Sequence, residues 1–256
     1  MASGSRKRLI IGNWKTYIEA PEDAKRFAQT LRRKAATFSG VQVVLAPSFP
    51  LLPLLTLALK GSSLQVGAQD LSAHPGGAHT GEVPGALLKA LGVSFVIVGH
   101  SERRAAGERD QEVHEKFTRA LDEGIRPVLC IGEKERDASG DHFEYLGTQL
   151  SSALAGIAKA DAGKFVIAYE PVWAIGKTAS GAMKPTELRE TAIFIRKSVA
   201  NRIGRDAALR VPILYGGSVE PSNAATLIQE GNVSGFLVGH ASADANSFLQ
   251  ILQSVR

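Results

Sequence analysis

Phe95-Val96-Ile97-Val98-Gly99-His100 runs four apolar residues into a glycine and an imidazole. A strand with one wet face alternates apolar and polar residues, so an unbroken run of this kind belongs to a strand covered on both faces, as in parallel sheets flanked by helices. Working outward, similar runs recur along the chain, and we expect strands at 8–15, 41–46, 64–68, 95–99, 127–131, 165–170, 212–215 and 235–238. Between them lie stretches with helical spacing. Residues 21–37 open with Pro21, Glu22 and Asp23, a favourable first turn, and Pro185-Thr186-Glu187 and Pro221-Ser222-Asn223 open two later helices in the same way. Eight strand–helix units of about 32 residues predict an α/β fold, a closed (β/α)8 barrel formed by residues 1–256 as one domain.

Composition agrees with that class. The chain of 256 residues is 44% hydrophobic and 21% charged, enough to bury a core. Its single cysteine, Cys130, excludes an internal disulfide framework and fits a reducing, cytoplasmic setting; inside a strand it reads as core packing rather than as a nucleophile. No apolar run reaches the roughly 18 residues a membrane helix needs. The net charge of +5 is spread along the chain and mixed with acids, which fits a small anionic ligand better than nucleic acid. Neither a glycine-rich dinucleotide fingerprint after the first strand nor a metal-ligand spacing is present, so the sequence implies no cofactor and no metal.

The chemistry-bearing residues stand where strands end. The first expected strand closes on Asn13-Trp14-Lys15, the fourth leads into His100-Ser101-Glu102, and the sixth reaches Tyr169-Glu170-Pro171. A lysine, a histidine and a glutamate at three strand ends would each cost several kcal/mol if buried without partners, so together they point to a site. Taken singly, a solvated lysine, a histidine satisfying a backbone group and a structural glutamate remain open readings. Gly216-Gly217-Ser218 and Gly239-His240, after strands seven and eight, are either tight turns or the exposed amides of a phosphate cradle. His114 and His142 fall in charged helical segments and are expected at the surface. The long connections 69–83, 100–109 and 171–184 all follow strand C-termini, where barrels of this type keep their chemistry.

Six motifs in order, Gly12-Asn13-Trp14-Lys15, His79-Thr80-Gly81-Glu82-Val83, Gly99-His100-Ser101-Glu102-Arg103-Arg104, Cys130-Ile131-Gly132-Glu133, Tyr169-Glu170-Pro171-Val172-Trp173-Ala174-Ile175-Gly176 and Tyr215-Gly216-Gly217-Ser218-Val219, closely resemble the triosephosphate isomerase family over nearly the whole chain. That resemblance implies a TIM barrel acting in glycolysis and gluconeogenesis on a small phosphorylated triose, with Glu170 as carboxylate base, His100 as neutral proton shuttle, Lys15 and Asn13 stabilising the enediolate, and Glu102 as acidic partner. It further implies that the backbone amides of Gly176, Ser218, Gly239 and His240 hold the phosphate. A homodimer is implied as well, in which the loop 74–82 docks into a second subunit and Thr80 approaches the other active site.

Two stretches depart from the family. After Gly176 the family usually continues Thr-Gly-Lys-Thr-Ala, whereas here Lys177-Thr178-Ala179-Ser180-Gly181-Ala182-Met183-Lys184 precedes Pro185. Where the family has a Gly-Gly pair after strand eight, this chain has Gly239-His240. The segment is still expected to act as a lid, since an enediol phosphate open to water can lose its phosphate. Other readings are a barrel that binds phosphate but cannot close, a different phosphosugar enzyme, and a nucleic-acid binder.

Overall fold

The computed structural model describes residues 7–136, 139–177 and 181–256. Eight parallel strands close into a barrel in sequence order: β1 (Arg8–Asn13), β2 (Val41–Ala46), β3 (Gln65–Ala68), β4 (Phe95–Val98), β5 (Arg126–Ile131), β6 (Val166–Tyr169), β7 (Ile213–Tyr215) and β8 (Gly235–Val238). Closure comes from β8 pairing with β1, with Leu9 opposite Gly235 and Gly12 opposite Val238. The helices outside are α1 (Pro21–Lys34), α2 (Leu52–Leu59), α3 (Gly85–Ala90), α4 (Ser101–Ala105), α5 (Asp110–Asp122), α6 (Asp141–Ala153), α7 (Pro185–Ile203), α8 (Arg205–Ala208), α9 (Ala224–Glu230) and α10 (Ala245–Ser254).

The local reasons are visible in α1. Pro21 sits in the first turn, Glu22 and Asp23 face the positive helix end, and Arg32, Arg33 and Lys34 face the negative end. Ala24, Phe27, Ala28 and Leu31 form its buried stripe. The helix stops at Lys34 rather than at 37, because the chain tightens into a 3-10 turn at Ala35–Phe38 that buries Phe38.

Side chains alternate across each strand, so two cores form. Leu9 and Ile11 of β1, Val128 and Cys130 of β5, and Val166 and Ala168 of β6 belong to the cluster filling the barrel. Their neighbours Ile10, Leu129 and Ile167 belong to the layer under the helices. Continuing the inward register by one step brings Asn13 and Glu170 to the C-terminal mouth of the barrel. The fold thus aims these two side chains by the same alternation that fills its core.

Several expected boundaries move. Strand β1 ends at Asn13, because Lys15 adopts a left-handed φ of 46° that no strand continues. Strand β6 ends at Tyr169, leaving Glu170 in the following loop. Pro221 to Asn223 form turns rather than a helical start: the Asn223 side chain accepts the Glu220 N–H and donates to Ser218 O, and α9 begins at Ala224. His142 is buried, not at the surface, since it shares the inner stripe of α6 with Leu146, Gln149 and Leu150. Its ring accepts from Arg136 Nε at 3.3 Å and packs on Phe143. His114 is half-buried, its Nδ1 3.2 Å from Ala153 O. Among the described residues no helix is long and apolar enough to cross a membrane.

Candidate active site

A cavity of 380 Å³ opens at the C-terminal mouth of the barrel. Asn13, Lys15, His100, Glu170, Gly176, Ser218, Gly239 and His240 all line it. Of the residues expected there, only Glu102 stands outside it, reaching in from the rim through its contacts to Lys15 and His100.

Lys15 is held in its left-handed conformation from three sides. Its N–H donates to Asn13 Oδ1 at 3.1 Å, and its carbonyl accepts from Ser48 Oγ at 2.9 Å and Gln69 Nε2 at 2.8 Å. Such a backbone conformation costs of order 1–3 kcal/mol and persists only where the surroundings fix it. The result is an ammonium group carried to the cavity wall, 2.5 Å from Glu102 Oε1.

His100 caps α4, and its Nδ1 accepts the Glu102 N–H at 3.2 Å. With that lone pair engaged, the neutral ring carries its proton on Nε2. Nε2 lies 3.1 Å from Glu170 Oε1, while Glu170 Oε2 accepts the Ser101 N–H at 3.0 Å. Burial pushes the His100 pKa down, but the Glu170 carboxylate outweighs it and the net shift is upward. Burial pushes Glu170 up, and it is outweighed by His100, the Ser101 amide and Lys15, so the net shift is downward. Cys130, fully buried below the site, has its thiol pushed well up by burial and by the nearby Glu170 carboxylate, and it stays protonated.

The far wall is made of backbone. A Cβ at Gly216 would lie 2.8 Å from Glu170 Cγ, so only glycine lets the loop after β7 pass this close to the carboxylate. Ser218 Oγ donates to Ala174 O at 2.8 Å and ties that loop to the segment after β6. Gly239 follows β8, and His240 beside it sets its ring edge-on to Tyr17 with centroids 5.1 Å apart. In the expected lid, Thr178, Ala179 and Ser180 lie outside the described residues. Its two ends are anchored, Trp173 Nε1 donating to Glu133 Oε1 at 2.8 Å and Met183 N–H to Tyr215 Oη at 3.4 Å.

Sequence reasoning missed the supports beneath the site. Glu133, buried, accepts from both Tyr169 Oη and Trp173 Nε1 at 2.8 Å. Lys116, also buried, reaches Glu108 Oε1 at 2.6 Å and Asp70 at 3.0 Å, and Asp70 in turn pairs with Arg103 of α4, the residue after Glu102. A lysine in the apolar stripe of α5, beside Val113 and Phe117, was the one available signal.

A closed parallel barrel presenting a carboxylate, an imidazole and an ammonium to one cavity has the groups of a proton-transferring barrel enzyme. The family model described as triosephosphate isomerase matches residues 8–255. The chain belongs to the triosephosphate isomerase family. It is 44% identical to the triosephosphate isomerase of Thermus thermophilus over 97% of this chain and 98% of that one. It is similar as well to those of Carboxydothermus hydrogenoformans, at 41% over 97% and 98%, and Solibacter usitatus, at 41% over 96% and 99%.

Proposed function

We infer that Glu170, His100, Lys15 and Asn13 carry the reaction of this chain. The chain is an intramolecular aldose–ketose isomerase that interconverts dihydroxyacetone phosphate and D-glyceraldehyde 3-phosphate, a step of glycolysis. Glu170 takes a proton from the carbon next to the carbonyl, and the electron pair moves onto the carbonyl oxygen as an enediolate. His100 donates its Nε2 proton to that oxygen and takes one from the neighbouring hydroxyl, after which Glu170 returns its proton to the adjacent carbon. Lys15 and the Asn13 amide stabilise the oxygen charge, where fixed donors in a dry site are worth most. Glu102 holds the Lys15 ammonium at the wall.

The amides of Gly176, Ser218, Gly239 and His240 take the phosphate, whose binding energy closes the site over the reacting carbons. The observation that carries this reading is that Glu170, His100 Nε2 and Lys15 face one cavity whose opposite wall is glycine-rich backbone. A coupled assay started with glyceraldehyde 3-phosphate tests it, and absence of isomerisation refutes it.

Residues 1–256 form one domain in this reading, and the working unit is a homodimer joined through the loop 74–82, with Thr80 near the second active site. That loop stands out from the barrel, exposed along most of its length. A cytoplasmic location is supported by the glycolytic reaction and by the single, buried cysteine.

A further inference from the structure

His74 and His79 stack face to face on the loop between β3 and α3, with ring centroids 3.7 Å apart and planes within 6°. Glu82 stands beside them, and one ligand atom from each residue lies within 4.8 Å of the others, facing solvent. The loop is closed at its base by the Ser72 N–H donating to Val83 O at 2.8 Å. Inside that closure Glu82 accepts the Ser72 hydroxyl, the same hydroxyl oxygen accepts the His74 N–H at 3.0 Å, and the Glu82 N–H donates to His79 O at 3.1 Å. One braced segment therefore carries all three groups. None of them lines the barrel-mouth cavity, and the isomerisation leaves them unused.

We propose that His74, His79 and Glu82 form a surface site for a divalent transition ion such as zinc, whose occupancy opposes association of the chain through this loop. Two imidazole nitrogens and a carboxylate suit zinc, with water in the open fourth position, while calcium and magnesium prefer all-oxygen sets. Donors about 2.0–2.1 Å from a tetrahedral zinc sit about 3.3 Å apart, so the group must draw together by about 1.5 Å and the rings must splay until their lone pairs converge. Gly76 and Gly77, at φ of 146° and 104° between the histidines, supply that freedom. Spacing along the chain hides this site, because the histidines are five residues apart in a turn and meet only through its folding.

The antagonism rests on the homodimer reading. Zinc binding must splay the rings that stack in the empty loop and leaves an ion with its bound water on the surface, so the occupied loop presents a different shape and a hydrated cation where docking needs the stacked one.

Zinc alone is titrated by calorimetry into the full chain in a non-coordinating buffer, beside His79→Phe, which keeps a stacking ring but loses the nitrogen, and the double variant His74→Ala/His79→Ala. The parent should bind one equivalent per chain, and His79→Phe should bind at least about tenfold more weakly. Added zinc should shift sedimentation of the parent towards monomer and leave the double variant unmoved. Equal uptake by parent and double variant overturns the site, as does calcium binding of comparable strength. Uptake by a parent that remains dimeric overturns the antagonism. A parent monomeric with and without zinc refutes the homodimer reading instead, and calorimetry still decides the site.

Discussion

His100 Nε2 and Glu170 Oε1 meet at 3.1 Å with their side chains 8% and 3% exposed, and this contact reverses what burial would do to each group. While it lasts, the base is engaged with the ring and with the Ser101 N–H. In the proposed reaction Glu170 turns to a substrate carbon, and the main influence raising the imidazole pKa would leave with it. Burial and the Glu102 amide on Nδ1 then favour the neutral ring, the form that can donate from Nε2 and accept again.

Replacing Glu170 with Gln should therefore lower the His100 pKa, as followed by NMR titration of the ring; an unchanged titration would show that the contact is not the cause. The same pair contributes to stability in a definite window. His100 is raised, so its contribution is full below the ordinary 6.5 and lost as pH rises through the folded value. Glu170 is lowered, so its contribution is full above the ordinary 4.5 and lost as pH falls through the folded value. The stability difference between parent and Glu170→Gln, from urea unfolding, should peak between pH 4.5 and 6.5.

In turnover, Glu170→Gln should lose about 10²–10⁴-fold or more in kcat, because the amide keeps the shape but cannot accept the carbon's proton. Binding of an unreactive phosphate-bearing analogue should persist. Turnover within tenfold of the parent would remove Glu170 from its role.

Lys15→Met should raise KM and lower kcat together, the latter by about 10²–10³-fold, since in the proposed reaction its ammonium, on the wall of the same cavity, would attract the anionic substrate as well as stabilise the enediolate. A change confined to KM would leave it a role in binding only.

Glu133→Ala should leave the Tyr169 hydroxyl and the Trp173 indole N–H without their buried acceptor, costing about 1–3 kcal/mol for each. Urea unfolding should show the loss and Trp173 fluorescence should report a wetter indole. Unchanged stability would mean water replaces the carboxylate.

Deleting residues 73–80 should yield a poorly active monomer by light scattering, because the loop would no longer reach a second subunit. A parent chain that already scatters as a monomer would refute the dimer.

Why some of this was legible in the sequence and some was not follows from what each feature depends on. Strands β4 and β8 read directly because both their faces are covered, and Lys15, His100 and Glu170 stood out as ionisable residues where apolar runs stop. The exact strand ends were harder, since the ladder decides them: Arg126 joins β5 through its N–H to Ser94 O, a partner remote in sequence. Lys116 needed Asp70 from another loop, 46 residues away, to be understood. The charged residues around His142 suggest a surface position, whereas its spacing to Leu146 and Gln149 places it on the buried stripe.

The glycines at the barrel mouth bear on where the neighbouring charged side chains can stand. Gly216 and Gly239 occupy the register steps that in Asn13 and Glu170 carry side chains, and both border the cavity. The space for a ligand is thus made of side chains left out, one strand end at a time. A carbon added at Gly216 would stand 2.8 Å from Glu170 Cγ, and one at Gly239 would stand 3.6 Å from Lys15 Cε. The bare strand ends are what leave the carboxylate and the ammonium room to stand where they do.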